Sequence, residues 1–354
     1  MSTNLRPAPM RWHRPLMALA LAMAVVGVVS IVGLLVDQRE LVGAPIWAKP
    51  LKFAISIAIY AVTWAWLIGQ LTRFRRTAWW AGTVIALTLG FETVLLVLQT
   101  VRGHRSHFNQ TTSFDETVWS IMGATIAVLW IATLVAAVLL WFTPLADRAR
   151  SLAIRLGATL CIVGLSLGFL MTMPLESQLA DYKGIIGAHT VGAEDGGPGL
   201  LLLGWSTEHG DLRIPHFVGM HALQLLPLAL LLIELASRRI DRLRDVRVRT
   251  GLVWTTFVVY AAAVALVTWQ ALRGQSIVQP DGATMLAGAA VLGVGVLGVA
   301  VSLTLPRRGG VAASTDGPAT AGGPATADGP ATDDTVTARD DTATASAGSP
   351  AARR

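Results

Sequence analysis

The sequence predicts an all-α fold: a polytopic transmembrane bundle of about eight helices, both termini cytoplasmic, followed by a disordered C-terminal tail. Three observations carry that expectation. Of 354 residues, 53% are hydrophobic and only 14% charged, whereas soluble domains are about a quarter charged. Mean hydropathy is +0.57. Eight apolar runs are each long enough to cross a bilayer, and the charges between them alternate in kind from one connection to the next.

The runs fall at 15–36, 51–71, 79–100, 117–142, 151–173, 215–237, 251–272 and 283–305. Each holds roughly 20 residues, which at ~1.5 Å per residue spans a ~30 Å hydrocarbon core. They must be helices, because lipid offers no partner to an open backbone group. The first run is longer than the apolar core of a signal peptide and reads as a retained helix. Residues 1–14 form a short cytoplasmic N-terminus, 15–305 the membrane domain, and 174–214 a long outer loop. From Pro306 the composition turns to Ala, Thr, Gly, Pro and Asp, with Gly-Pro-Ala-Thr recurring at Gly317, Gly323 and Gly329. Such a segment has nothing with which to build a core.

Charge predicts the orientation. Before the tail there are 23 Lys and Arg, and 15 of them lie at the N-terminus or after the second, fourth and sixth spans. Those connections are therefore cytoplasmic. The run Arg238-Arg239-Ile240-Asp241-Arg242-Leu243-Arg244 reads as an anchor on an anionic inner leaflet. The net charge of +6 thus reports orientation in a lipid bilayer and does not point to a nucleic acid. An Arg-rich, Lys-poor usage fits a GC-rich bacterial genome, and the expected home is a bacterial inner membrane.

Six of the seven His lie on the outer side: His104, His107, His189, His209, His216 and His221. Three segments make up this side. In Trp47-Ala48-Lys49-Pro50-Leu51-Lys52-Phe53, one reading is an interfacial belt with Trp at the headgroups and Lys snorkelling. The other folds Lys49 or Lys52 inward as a cation for an anionic ligand. In Arg102-Gly103-His104-Arg105-Ser106-His107-Phe108-Asn109, two His three apart can share a helical face and hold a metal. Ser113-x-x-Glu116 reads as a capping box for the fourth span. The third segment runs from Trp205 through His209, Asp211, Arg213 and His216 to His221 and Gln224.

Within the membrane, Glu92 and Gln99 sit seven apart on one face of the third span. A buried carboxylate there is costly unless paired or protonated, and is by default a functional candidate. Glu92 and His221 lie at similar depth, so they are expected to face each other across an outward-facing cavity between the third and sixth spans. The long loop before the sixth span, with apolar Leu200–Leu203, reads as a lid. Glu234 and Arg155, near inner helix ends, read as snorkelling side chains or local pairs. Paired Cys motifs, C-x-x-C-H, H-E-x-x-H and G-x-S-x-G are absent from the sequence.

The Trp47–Phe53, Arg102–Asn109 and Gly210–His221 segments together resemble multi-pass bacterial membrane proteins to which no activity is assigned. That resemblance implies a polytopic membrane protein and no mechanism.

Three functional expectations follow. The first is a membrane enzyme or redox protein carrying a metal ion or haem. Its catalytic candidates are Glu92, His107 and His221, and its ligand candidates are His104, His107, His209, His216 and His221. The second is a proton-coupled transporter or solute-binding protein, with Lys52, Gln99, Arg102, Asn109, Asp211, Arg213 and Gln224 as ligand-binding candidates. The third is a structural or sensory protein whose polar groups only join helices.

Overall fold

The computed structural model describes residues 12–145 and 147–304. The expected tail from residue 306 lies outside the described residues, as does most of the N-terminus. Every described element belongs to one compact unit, Met1–Arg307.

The chain is an all-helical bundle. Its elements are α1 (Arg14–Val36), α2 (Ala48–Gln70), α3 (Arg75–Arg102), α4 (Ser113–Trp141), α5 (Arg148–Leu167), the short α6 (Glu176–Ala180), α7 (Arg213–Met220), α8 (Ala222–Ala236), α9 (Val246–Leu272) and α10 (Gly282–Thr304). Among the described residues, seven helices are long and apolar enough to cross a membrane, and α7 with α8 adds an eighth crossing if the bent pair is one span. Apolar side chains cover the outward faces, such as Leu21, Val25 and Leu35 on α1. That pattern suits lipid and not water.

Local chemistry sets the helix ends. Pro15 opens α1 behind His13, whose Nδ1 accepts from the Leu16 amide, a place where proline costs no hydrogen bond. Asp147 and Asp245 cap α5 and α9. The cap of α4 falls one residue before the expected box. Thr112 Oγ1 accepts from the Asp115 amide at 3.1 Å and donates back to Asp115 Oδ2 at 2.8 Å. The N-cap is therefore Thr112, with Asp115 rather than Glu116 answering it three residues on.

Packing follows chain order at first: α1 on α2 and α3, α2 on α3, α3 on α4, α4 on α5. The second half closes around α5, which meets α7, α8 and α9. The core between α1, α2, α3, α4 and α5 includes Leu16, Trp64, Leu67, Ile85, Leu140 and Cys161, all buried. Where α5 crosses α7, glycine stands in place of a side chain. A methyl added at Gly164 would lie 2.1 Å from the Met220 amide nitrogen, and one at Gly219 would lie 2.6 Å from Gly164 Cα. The two backbones are in contact, as small residues at a membrane helix crossing permit.

At the arginine-rich end, Glu234 on α8 pairs with Arg150 on α5 at 2.9 Å and with Arg249 on α9 at 3.5 Å. Arg155 donates to the Leu140 and Thr143 carbonyls. Glu234 thus joins three helices, and Arg155 closes the end of α4 through its carbonyls. At the other end, residues 174–212 fold down over the helices. Two short strands, β1 (Thr190–Val191) and β2 (Gly210–Asp211), pair antiparallel, and Asn109 bridges Ile185. The Ala188 amide donates to Met171 O and the Leu212 amide to His189 O. The tip stays out, with Leu201 90% and Leu202 76% exposed, and so do Leu179 and Tyr182.

Candidate functional site

The sixth apolar run is not one straight helix. α7 and α8 meet at His221 with a 47° bend, and Pro227 inside α8 withholds a further amide from the ladder. A broken helix leaves polar groups that need partners within the membrane. α2 supplies them.

Lys49, Ser56 and Thr63 recur every seven residues along α2, and Lys52 lies one turn after Lys49. At about 100° per residue these four share one face within about 60°. Each of them meets a group from another element. Lys49 Nζ lies 3.3 Å from His107 Nδ1. Lys52 Nζ donates to Leu203 O at 2.9 Å. Ser56 Oγ lies 3.4 Å from His221 Nε2. His221 Nδ1 lies 3.3 Å from Gln224 Oε1, and Gln224 Nε2 donates to Thr63 Oγ1 at 3.2 Å. A polar seam thus runs from the histidine-rich end about 21 Å down α2. Beyond it, Leu67, Leu223 and Leu226 are buried and apolar.

The two lysines therefore fold under the loops. The Trp47 indole rests against Gly33 of α1, and its Nε1 donates to Asp37 at 2.9 Å.

Around the mouth of the seam stand three more imidazoles. His107 is enclosed by the rings of Phe53, Phe108 and Trp119. Burial, then the neighbouring Lys49 and His189 charges, hold its imidazolium well below the ordinary value. An ammonium only donates, so His107 Nδ1 is the acceptor of the Lys49 pair and the ring proton sits on Nε2. His189 packs on the Phe108 ring. Its Nδ1–H donates to Asp195 Oδ2 at 2.5 Å. Burial lowers the His189 pKa, with Asp195 opposing. Burial also works against the Asp195 charge, but hydrogen bonds from the His189 ring and from the His189 and Thr190 amides outweigh it. The pair is a neutral imidazole on a carboxylate. His216 Nδ1–H donates to Gly164 O at 2.8 Å, the same residue whose missing side chain lets α7 approach.

Arg213 completes the mouth. It is forked onto buried Asp211, Nε to Oδ1 at 2.9 Å and Nη2 to Oδ2 at 2.6 Å, and Nη2 also reaches Gly204 O at 2.5 Å.

The other predicted residues lie elsewhere. Glu92 faces α4, where the Thr125 hydroxyl donates to it. No hydrogen bond or ion pair joins Glu92 to His221 among the described residues. The expected cavity between the third and sixth spans is thus a seam between α2 and α7–α8. The physical reason is that α3 turns its polar face to α4. Gln99 and Arg102 converge on Asp115 of α4, at 2.9 Å and 2.6 Å, and Arg102 also donates to Gln99 Oε1. His104 Nδ1 adds a contact at 3.1 Å to Asp115 Oδ2. His104 and His107 therefore serve different clusters and share no face. Asn109 holds a turn, accepting from Thr111 N and Oγ1. His209 sits in the loop, with its amide on Ser206 Oγ. Among the described residues, no three His, Cys, Asp or Glu side chains are grouped to hold a metal ion.

Sequence reasoning missed Ser56, Thr63 and Asp195 as members of the seam and its mouth. The seven-residue spacing from Lys49 was a readable signal for the first two. For Asp195 there was none, because the loop fold alone brings it to His189.

Apolar membrane-length helices, lipid-facing surfaces and a broken helix lined by polar groups define the chain as a multi-pass helical membrane protein. No protein-family model, no curated protein and no solved structure matches it.

Proposed function

We propose that this protein binds a small solute in the seam between α2 and α7–α8, from the extracytoplasmic side. The observation that carries the reading is the polar stripe of α2. Four polar residues on a membrane helix all meet groups on the broken span or the loops above it, and the stripe ends on buried leucines. Polar groups inside a membrane are costly, and a stripe of them usually marks a ligand or ion path. A path closed at its inner end favours an outward-opening binding site over a continuous pore. The charge distribution assigns the histidine-rich end to the outside.

Thiol labelling tests it. Cys161 is the only cysteine and is buried, so added cysteines report alone. Ser56→Cys is expected to react with a membrane-impermeant thiol reagent added outside intact cells, and Leu67→Cys is expected to stay unreactive from either side. Labelling of Ser56→Cys only from the inside, or not at all, sinks the proposal.

A second reading is favoured by one feature. His189 and His216 each donate Nδ1–H, to a carboxylate and to a backbone carbonyl, the arrangement that orients an imidazole toward a metal through Nε2. In this reading they ligate a metal ion or haem iron, with redox or hydrolytic chemistry at the outer face. His107 fits that role less well, because its Nδ1 accepts from Lys49. Elemental analysis of untagged protein is the check. Near-stoichiometric Fe, Cu or Zn, lost in both His189→Gln and His216→Gln, is the expected result for this reading. Protein that stays metal-free after each ion is added back discards it.

A further inference from the structure

We infer that the solute carries a phosphate-class oxyanion, held at the mouth of the seam by Lys49, Lys52 and Arg213. The inference rests on the solute-binding reading and names the chemistry of its ligand.

The argument is one of uncompensated charge. The charges acting on Lys49 include those of Lys52, Arg105 and Arg213, with Asp195 as the opposing acid. Asp195 is engaged by His189 and the adjacent amides. Asp211 is engaged by Arg213 and the Ser206 amide. Neither lysine has an ion-pair partner among the described residues: Lys49 meets a neutral imidazole and Lys52 a carbonyl oxygen. An ammonium has three N–H donors, so each lysine keeps donors to offer. Two half-buried ammonium groups one turn apart, whose nearby carboxylates Asp195 and Asp211 are already engaged, are expensive unless an anion joins them.

Lys52 and Arg213 converge beside Gly204. A methyl there would lie 3.5 Å from Lys52 Nζ and 4.0 Å from Arg213 Nη1. The two cations are thus no further apart than the sum of those lengths, and the space between is filled by no side chain of residue 204. Arg213 Nη1 makes no hydrogen bond among the described residues, since Nε and Nη2 serve Asp211 and Gly204 O. A free guanidinium nitrogen with two N–H donors, the Lys52 ammonium beside it and the Lys49 ammonium one turn before suit a compact, multiply charged oxyanion, which accepts several charge-assisted hydrogen bonds at once. The same chemistry is offered by inorganic phosphate from solution or by a phosphomonoester lipid head at the outer leaflet.

The experiment measures protection of Ser56→Cys from the external thiol reagent, at constant ionic strength. Inorganic phosphate replaces chloride in one arm, and phosphatidic acid replaces phosphatidylcholine in nanodiscs in the other. Slowed labelling by phosphate assigns a soluble ligand, and slowed labelling only by phosphatidic acid assigns a lipid head. In either case Lys49→Gln and Lys52→Gln are expected to raise the half-protecting concentration about tenfold or more, as loss of a charge-assisted hydrogen bond would. Lys49→Arg, which keeps the charge, is expected to retain protection. No protection in either arm, or protection unchanged in Lys49→Gln/Lys52→Gln, overturns the inference. Because Ser56→Cys must label before protection can be read, an unlabelled protein speaks against the binding seam itself. A labelled but unprotected one speaks against the anion alone.

Discussion

Replacing Asp115 by Ala lowers the unfolding free energy by ~3 kcal/mol, near the lower end of what breaking a buried ion pair costs. Asp115 is fully buried and is the point where α3, the 103–112 connection and α4 are tied together. It accepts from Gln99, Arg102, His104 and Thr112, and it closes its own helix cap. Its removal leaves buried Gln99 and the Arg102 guanidinium facing each other without an acceptor in common. Arg102 retains its stacking on Phe114 at 4.3 Å and some access to solvent, which is why the lower end applies. Asp115→Asn keeps the shape and the cap acceptor, so its loss is expected to be smaller. Denaturant-induced unfolding in mild detergent checks the order. An Asp115→Ala protein as stable as the parent would show that the cluster is held by its surroundings and not by the carboxylate.

The second large effect is expected at Gly164. Gly164→Ala introduces a methyl into the Met220 amide nitrogen and the Gly219 carbonyl carbon, at 2.1 Å and 2.2 Å. Both are backbone, so no side-chain rotation relieves the clash. The cost is put at ~3 kcal/mol, the upper part of the range for overpacking. Moving α7 also carries His216 away from Gly164 O and shifts the bend at His221. Both stability and Ser56→Cys labelling are therefore expected to change together. Gly123→Ala on α4 is the control, because a methyl there meets nothing within 4 Å; it is expected to be neutral or slightly stabilising, by up to ~1 kcal/mol. Equal behaviour of the two variants would show that α5 and α7 do not cross by backbone contact.

Much of the fold was legible because a bilayer leaves few choices. Runs of about 20 apolar residues between charged connections permit a helix and little else. The cap of α4 was misplaced by one residue because Thr112 and Ser113 are equally good N-caps by composition. The bend at His221 was hidden for a related reason. Pro215 was read as a helix start, and the breaker in the run after it, Pro227, lies six residues past the bend.

The candidate site was half legible. Its residue types were named: the two lysines, His107, His216, His221, Arg213 and Gln224 all line the seam or its mouth. Their grouping was not. Glu92 and His221 were matched by depth, which a helix rise of ~1.5 Å per residue supplies. Depth says nothing of azimuth, and α3 directs Glu92 to Thr125 instead.

What the sequence by itself determined is the class of object: hydropathy and charge made a helical membrane protein with its imidazoles gathered at one end, since burial in lipid is paid residue by residue along the chain. What only the tertiary structure decided is which of those residues meet. Gly164 and Gly219 let α5 and α7 touch, His189 finds Asp195 through a folded loop, and α2 turns Lys49, Lys52, Ser56 and Thr63 toward the broken span. Those outcomes depend on helix rotation and on close approach between distant segments, and neither is written in the spacing of residues along one helix.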